Sequence, residues 1–324
     1  MKNSLVSIVA SSFLMISISG CGGGGSNSSS NTSSSGNVAF PANAVVAEAT
    51  SDNADKVAKT VVVNPNSSLS NLGLNSVSSE VTVSNIQLLK QSTNILNKSI
   101  QSSSLEENTA LNETINQTVQ CSDGGSMTIS GVGSDATGGT VTTEYKNCQE
   151  YSTTKNGKMQ SVISDYNSKA DDYSTIKITF LTDFSVSTSS SSDNFNFTYK
   201  TGSYINEKIN TFDDYGSASD MSIETSYIIT MNEKKFGLKN CKFNLKYTNN
   251  SNDLEYTQSQ GRIYINNDLT AYVDVDTSYN PPVKYIYQYG ELASGKGHYL
   301  MANNTPLTIT ATGSGNYDTT IGNN

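Results

Sequence analysis

Arginine and histidine each occur once in this 324-residue chain, as Arg262 and His298, and tryptophan is absent. A single arginine removes the planar forks that grip phosphates and guanine. The formal net charge of −9 leaves no basic patch, so no nucleic acid partner is expected. A single histidine excludes multi-histidine zinc sites, and the four cysteines show no C-x-x-C spacing, so no metal is expected. Any Ser-His-Asp or Cys-His device would have to use His298, in GKGHYLMAN, which reads as an exposed turn into a strand. G-x-S-x-G does not occur. An unbroken apolar run of about 20 residues, the length needed to span a bilayer, is also missing. The sequence therefore offers no catalytic residue and no cofactor motif, and a non-enzyme is expected.

Only 35% of residues are hydrophobic. That is sparse for a dense core but suits strands that are apolar on one face and wet on the other. All 18 tyrosines lie at or after Tyr145, a compositional step between the first third of the chain and the rest. Excess negative charge favours solubility.

At the N-terminus, Lys2 precedes a short apolar stretch, Leu5 to Ile18, broken by serines. Small residues Ser19 and Gly20 follow, then Cys21. This order reads as an export signal cleaved at its end. Ile18-Ser19-Gly20-Cys21 also resembles the lipobox of bacterial lipoproteins. That resemblance implies cleavage after Gly20, a diacylglyceryl thioether on Cys21 and acylation of the new amine. Several acyl chains on one residue exceed the two signals that stable anchoring needs. Gly22, rather than aspartate, after the cysteine implies by the same resemblance sorting to the outer membrane. Residues 22–37 contain only Gly, Ser, Asn and Thr, which behave as a flexible tether with a reach of roughly 20–24 Å.

If Cys21 is lipidated, three cysteines remain in an oxidising compartment. Cys121 and Cys148 flank two strand-like runs, Ser126–Val132 and Thr140–Tyr145, joined by the turn residues SDATGG. A hairpin brings its ends together, so Cys121–Cys148 is the expected bridge. Cys241 alternates with Phe243, Leu245 and Tyr247 on one strand face and reads as a buried thiol.

Ala54, Val57, Ala58 and Val61 fall at helical spacing behind a Ser51 or Asp52 cap. A second helix is expected in residues 84–102, opened by a Ser84/Gln87 capping box, with Ile86, Leu89, Leu96 and Ile100 on one side. From about Thr114 the period changes to two and stays there, through TIKITFLTDFSVS, CKFNLKYT, TAYVDVDTS and other runs separated by Asn, Asp, Gly and Ser. The expected organisation is a signal peptide at 1–20 and a lipidated cysteine with its linker at 21–37. A helical segment at 38–113 and an antiparallel β domain at 114–324 follow. The fold class is α+β, mainly antiparallel, with N-terminal helices packed on a large, curved, half-barrel-like sheet. A closed barrel or a β-sandwich is the alternative.

Three further patterns bear on function. GELASGKG, 290–297, looks like a phosphate loop, but Gly297 stands where Ser or Thr would hold magnesium, and a strand follows in place of a helix. It reads as a hairpin loop, and no nucleotide is expected. Asp274 and Asp276 should share a strand face with Tyr272 and read as solvated acids. Tyr285, Tyr287 and Tyr289 share one strand face. On a wet face they would form a recognition surface for a sugar or peptide; otherwise they form an aromatic ladder or a covered core face. The glycine-punctuated strands and the C-x-x-G-G hairpin also resemble those of exported β-rich bacterial lipoproteins, which implies a compartment and no activity. The expected function is a membrane-anchored envelope module that binds a glycan, a protein or another envelope component. A carrier of an apolar ligand is the alternative, and a hydrolase the weakest reading.

Overall fold

A computed structural model describes residues 38–61 and 113–322, except 135–137, 151, 168–171, 190–193, 213–217, 232, 249–252 and 289–290. The expected helix at 84–102 and Cys21 lie outside the described residues. A short strand β1 (Val45–Val46) and a helix α1 (Ser51–Val61) come first. The cap of α1 is Thr50, one residue earlier than expected. Its hydroxyl accepts the Asn53 N–H at 3.3 Å, because only a residue before the first turn can reach that amide. Asp52 in the first turn and Lys59 in the last complement the helix dipole, and Lys56–Asp52 and Lys59–Asp55 pair at i,i+4. Ala54, Val57, Ala58 and Val61 are the buried face.

Among the described residues the remaining elements are strands, with one 3-10 turn at Ala302–Asn304. In order they are β2 (Glu113–Gln120), β3 (Gly124–Ser134), β4 (Gly138–Glu150), β5 (Thr153–Asn167), β6 (Asp172–Phe180), β7 (Phe184–Ser189), β8 (Asn194–Tyr199) and β9 (Tyr204–Phe212). They continue with β10 (Ala218–Met231), β11 (Lys234–Thr248), β12 (Asp253–Tyr264), β13 (Ala271–Val275), β14 (Val283–Gln288), β15 (Glu291–Leu300), β16 (Pro306–Gly313) and β17 (Asn316–Ile321).

The ladders form an antiparallel meander within one sheet, rather than the two sheets of a sandwich. Three of its positions are broken strands. β5 pairs with β6 from Met159↔Phe180 to Asn167↔Asp172 and with β7 from Thr153↔Thr188 to Asn156↔Ser185, so β6 and β7 together span β5. β8 and β9 likewise span β10, and β13 and β14 span β12. The bends at 181–183 and 200–203 lie side by side. Asp183 locks them, accepting bonds from Lys200 Nζ (2.8 Å) and from the Thr201 N–H and hydroxyl (2.8 and 2.7 Å). β1 adds the one parallel pairing, Val45↔Ala271 and Val46↔Tyr272.

Alternation places one face of nearly every strand in the core. It is unusually rich in tyrosine: Phe180 stacks on Tyr199 at 4.2 Å, Tyr199 meets Tyr227 edge-on, and Phe243, Tyr256 and Tyr285 follow one another across three strands. α1 adds its four buried residues to this cluster and lies against β17, where the Tyr317 hydroxyl reaches Asp55 Oδ1 at 3.3 Å. The opposite face carries polar residues and cross-strand ion pairs such as Lys242–Glu224 and Lys284–Glu255. A small second cluster sits on that outer face, where Val38 joins Ile228, Tyr264, Leu269 and Tyr272, with Phe40 stacked on Tyr264 at 4.8 Å. Each of Ile228, Tyr264 and Tyr272 adjoins in sequence a residue of the main core, so the pleat itself puts these three on the outside.

Candidate functional site

A disulfide joins Cys121 and Cys148, with Cα atoms 5.4 Å apart, tying the chain just ahead of β3 to the far end of β4. Glu150 lies close to both sulfurs, and no other grouping of metal-ligating side chains occurs among the described residues. The sulfurs are spent on each other and the carboxylate pairs with Lys155 at 3.3 Å, so this is no metal centre. Burial lowers the Lys155 pKa, and Glu150 offsets part of that effect.

Tyr285 and Tyr287 do not form a recognition surface. They are 0% and 1% exposed and point into the core, and Tyr289 lies outside the described residues. The inner face needs these side chains for bulk, and their partners are Tyr256, Tyr299 and Gly297 rather than solvent. GELASGKG is not a loop either: residues 291–297 belong to β15. Its glycines serve packing, since a Cβ on Gly297 would meet the Tyr299 ring at 2.8 Å. His298 is a half-buried residue of that same strand, not part of an exposed turn. It stacks under Tyr279 at 3.8 Å, and its Nδ1 lies 3.2 Å from the Thr308 hydroxyl. Burial holds its pKa below the usual histidine value, Lys296 adds to this, and Asp276 opposes it. Asp276 falls past the end of β13 and caps a turn, accepting the Ser278 N–H and hydroxyl. It is therefore bonded within its own turn rather than simply solvated.

Asp274 belongs to a groove of about 380 Å³ on the outer face of β11, β12 and β13. The groove begins with an irregularity in β11. The β10–β11 register shifts between Thr225 and Tyr227, and the β11–β12 register shifts between Lys239 and Lys242. Asn240 takes up the slack at φ 52°, a left-handed conformation that asparagine tolerates. The Ser226 hydroxyl secures it, accepting the Asn240 N–H at 2.7 Å and donating to Asn240 Oδ1 at 3.1 Å. Directly opposite, Gly261 has φ 137°. A Cβ there would strike Cys241 Sγ and lie 2.7 Å from Cys241 Cα. The thiol is completely buried, 3.7 Å from Lys239 O and 3.6 Å from Arg262 O, and burial pushes its pKa up to about 12. Cys241 is thus the base of the bulge, and Gly261 is the bare floor above it.

Lys239, Arg262 and Asp274 rise around this floor from three successive strands. Arg262 grips Asp274 with a planar fork, Nε to Oδ1 at 2.8 Å and Nη2 to Oδ2 at 3.0 Å, and its guanidinium lies 3.5 Å from the centre of the Tyr272 ring. Asp274 is therefore paired, not simply solvated. Lys239 has no carboxylate partner among the described residues; its ammonium sits 5.6 Å from the centre of the Phe40 ring. Gln260 closes the floor, its Nε2 donating to Asn240 O at 3.3 Å. The arrangement is a polar cradle with more positive than negative charge, able to hold an anion beside hydrogen-bonding groups. Sequence reasoning singled out Arg262, Asp274 and Cys241 one at a time but missed the groove. The one available signal was a lone arginine and an isolated glycine in adjoining positions of a strand. No family model matches the chain, and no curated protein is significantly similar to it.

Proposed function

We propose that the protein is an exported lipoprotein, anchored to the outer membrane through Cys21, whose β domain acts as a non-enzymatic binding module of the cell envelope. The observation that carries this reading is the order of the first 37 residues: an apolar stretch, Ile18-Ser19-Gly20-Cys21, and then sixteen residues of Gly, Ser, Asn and Thr. On this reading the tether holds the folded part close to the membrane and free to turn.

Two features favour binding over the other readings. The only histidine meets the Thr308 hydroxyl and the Tyr279 ring, but among the described residues no carboxylate hydrogen-bonds its ring, so the third group that orients the base of a nucleophilic triad is missing. A carrier of an apolar ligand needs an interior cavity, and the inner face is occupied by the buried side chains of the sheet and of α1.

Mass spectrometry of the protein purified from membranes tests the anchor. A peptide beginning at Cys21 and carrying diacylglyceryl and acyl mass is expected, and Cys21→Ser should move the protein out of the membrane fraction. An intact signal segment or an unmodified Cys21 would refute the proposal.

A further inference from the structure

We infer that the groove over Gly261 binds an acidic saccharide. It takes the carboxylate of a uronic acid residue against Lys239 and the sugar hydroxyls against Asn240, Gln260 and the Arg262–Asp274 pair. This deepens the binding reading above and rests on it. The first argument is charge. Elsewhere on the outer face single lysines pair with acids, as in Lys242–Glu224 and Lys284–Glu255. The row through the bulge sets two cations, Lys239 and Arg262, against one carboxylate, Asp274, and Arg262 spends its fork on that carboxylate. The surplus is a single positive charge, which suits a monoanionic carboxylate. The chain as a whole carries −9, so an anion is repelled at long range and any attraction to this groove acts only at short range.

The second argument is the chemistry around that charge. The nearby aromatic faces are already covered, Phe40 by Lys239 and Tyr272 by Arg262, so no bare apolar plate is offered. What remains is side-chain amide and carboxylate, a mixture of donors and acceptors that fits hydroxyl groups, which both donate and accept. A volume of about 380 Å³ is at the small end for ligand sites and suits one or two sugar rings. The third argument is construction. Gly261 and Cys241 pack so closely that position 261 admits no side chain, and this contact fixes the bulge on which the groove is built.

The test is calorimetric titration of the full-length protein in detergent with glucuronic acid, with glucose and acetate as controls. Saturable binding of glucuronic acid is expected, with glucose and acetate each at least tenfold weaker. Lys239→Gln should weaken it about tenfold, the loss of one charge-assisted contact. Gln260→Ala should weaken it several-fold. Asp274→Asn should tighten it by releasing the guanidinium, an effect that a purely structural role for the pair would not produce. Thermal melts of each variant establish that it is folded. Absence of glucuronic acid binding to the folded protein, equal binding of acetate or glucose, or indifference to Lys239→Gln would each overturn the assignment. The anchor fails separately: an unmodified Cys21 leaves the titration unaffected, and a silent titration leaves the mass of Cys21 unaffected.

Discussion

At the scale of single residues, two side chains whose chemistry looked idle turn out to shape their surroundings. Cys241 acts through its volume. With its pKa near 12 and no exposed surface, it should resist thiol reagents at pH 8 in the folded protein, and its neighbour Gly261 is the residue that cannot change. Gly261→Ala combines an unfavourable backbone conformation with a collision against Cys241. It should cost about 2–4 kcal/mol in denaturant unfolding. Adding Cys241→Ala should recover only part of that loss, because the backbone Cα stays 2.7 Å from the new methyl group. A neutral Gly261→Ala would mean the two strands are not this close. His298 is the only histidine, so its ring protons can be followed by NMR without assignment. Burial disfavours the imidazolium, and the midpoint should lie below 6.5. In the window from 6.5 down to that midpoint the unfolded chain takes the proton first. The stabilisation is therefore complete above 6.5 and is lost as pH falls through the folded-state value. A midpoint at or above 6.5 would contradict the packing under Tyr279.

At the scale of elements, the period of two was readable in the sequence, and so was α1, down to its four buried residues. Glycine misled. In β15 it was read as a turn signal, yet Gly295 and Gly297 lie inside the strand, where the facing backbone and the rings of Tyr285 and Tyr299 occupy the space a Cβ would need. Local punctuation cannot distinguish a glycine that turns the chain from one that yields room across a ladder. The tyrosine row was ambiguous for a related reason: alternation says which residues share a face but not which face is wet. The Cys121–Cys148 hairpin needed no such knowledge, because strand spacing alone brings its ends together. The bridge closes a loop of sequence separation 27 and, on the chain-entropy model, should contribute roughly 3–4 kcal/mol. Replacing both cysteines with alanine should lower the denaturant midpoint accordingly. An unchanged midpoint would show that the bridge does not constrain the unfolded chain.

At the scale of the whole molecule, each strand is laddered to its neighbours, and one cluster collects the inner side chains of strands from β3 to β16 with those of α1. No described strand is free to melt without uncovering its neighbours. Far-UV circular dichroism and tyrosine emission should therefore report one coincident unfolding transition, whereas two separated transitions would divide the sheet into independent units. By itself the sequence determined the strand period, the helical face of α1 and the cysteine pair, because each depends on neighbours a few residues or one hairpin apart. It also carries the leading segment on which the anchoring proposal rests. Only the tertiary structure decided that Tyr285 and Tyr287 are core, that Asp274 belongs to Arg262 and that a groove exists. Lys239, Arg262 and Asp274 come from three strands. Whether they face one another depends on the register across two ladders, which a one-residue bulge at Asn240 resets and no local pattern records.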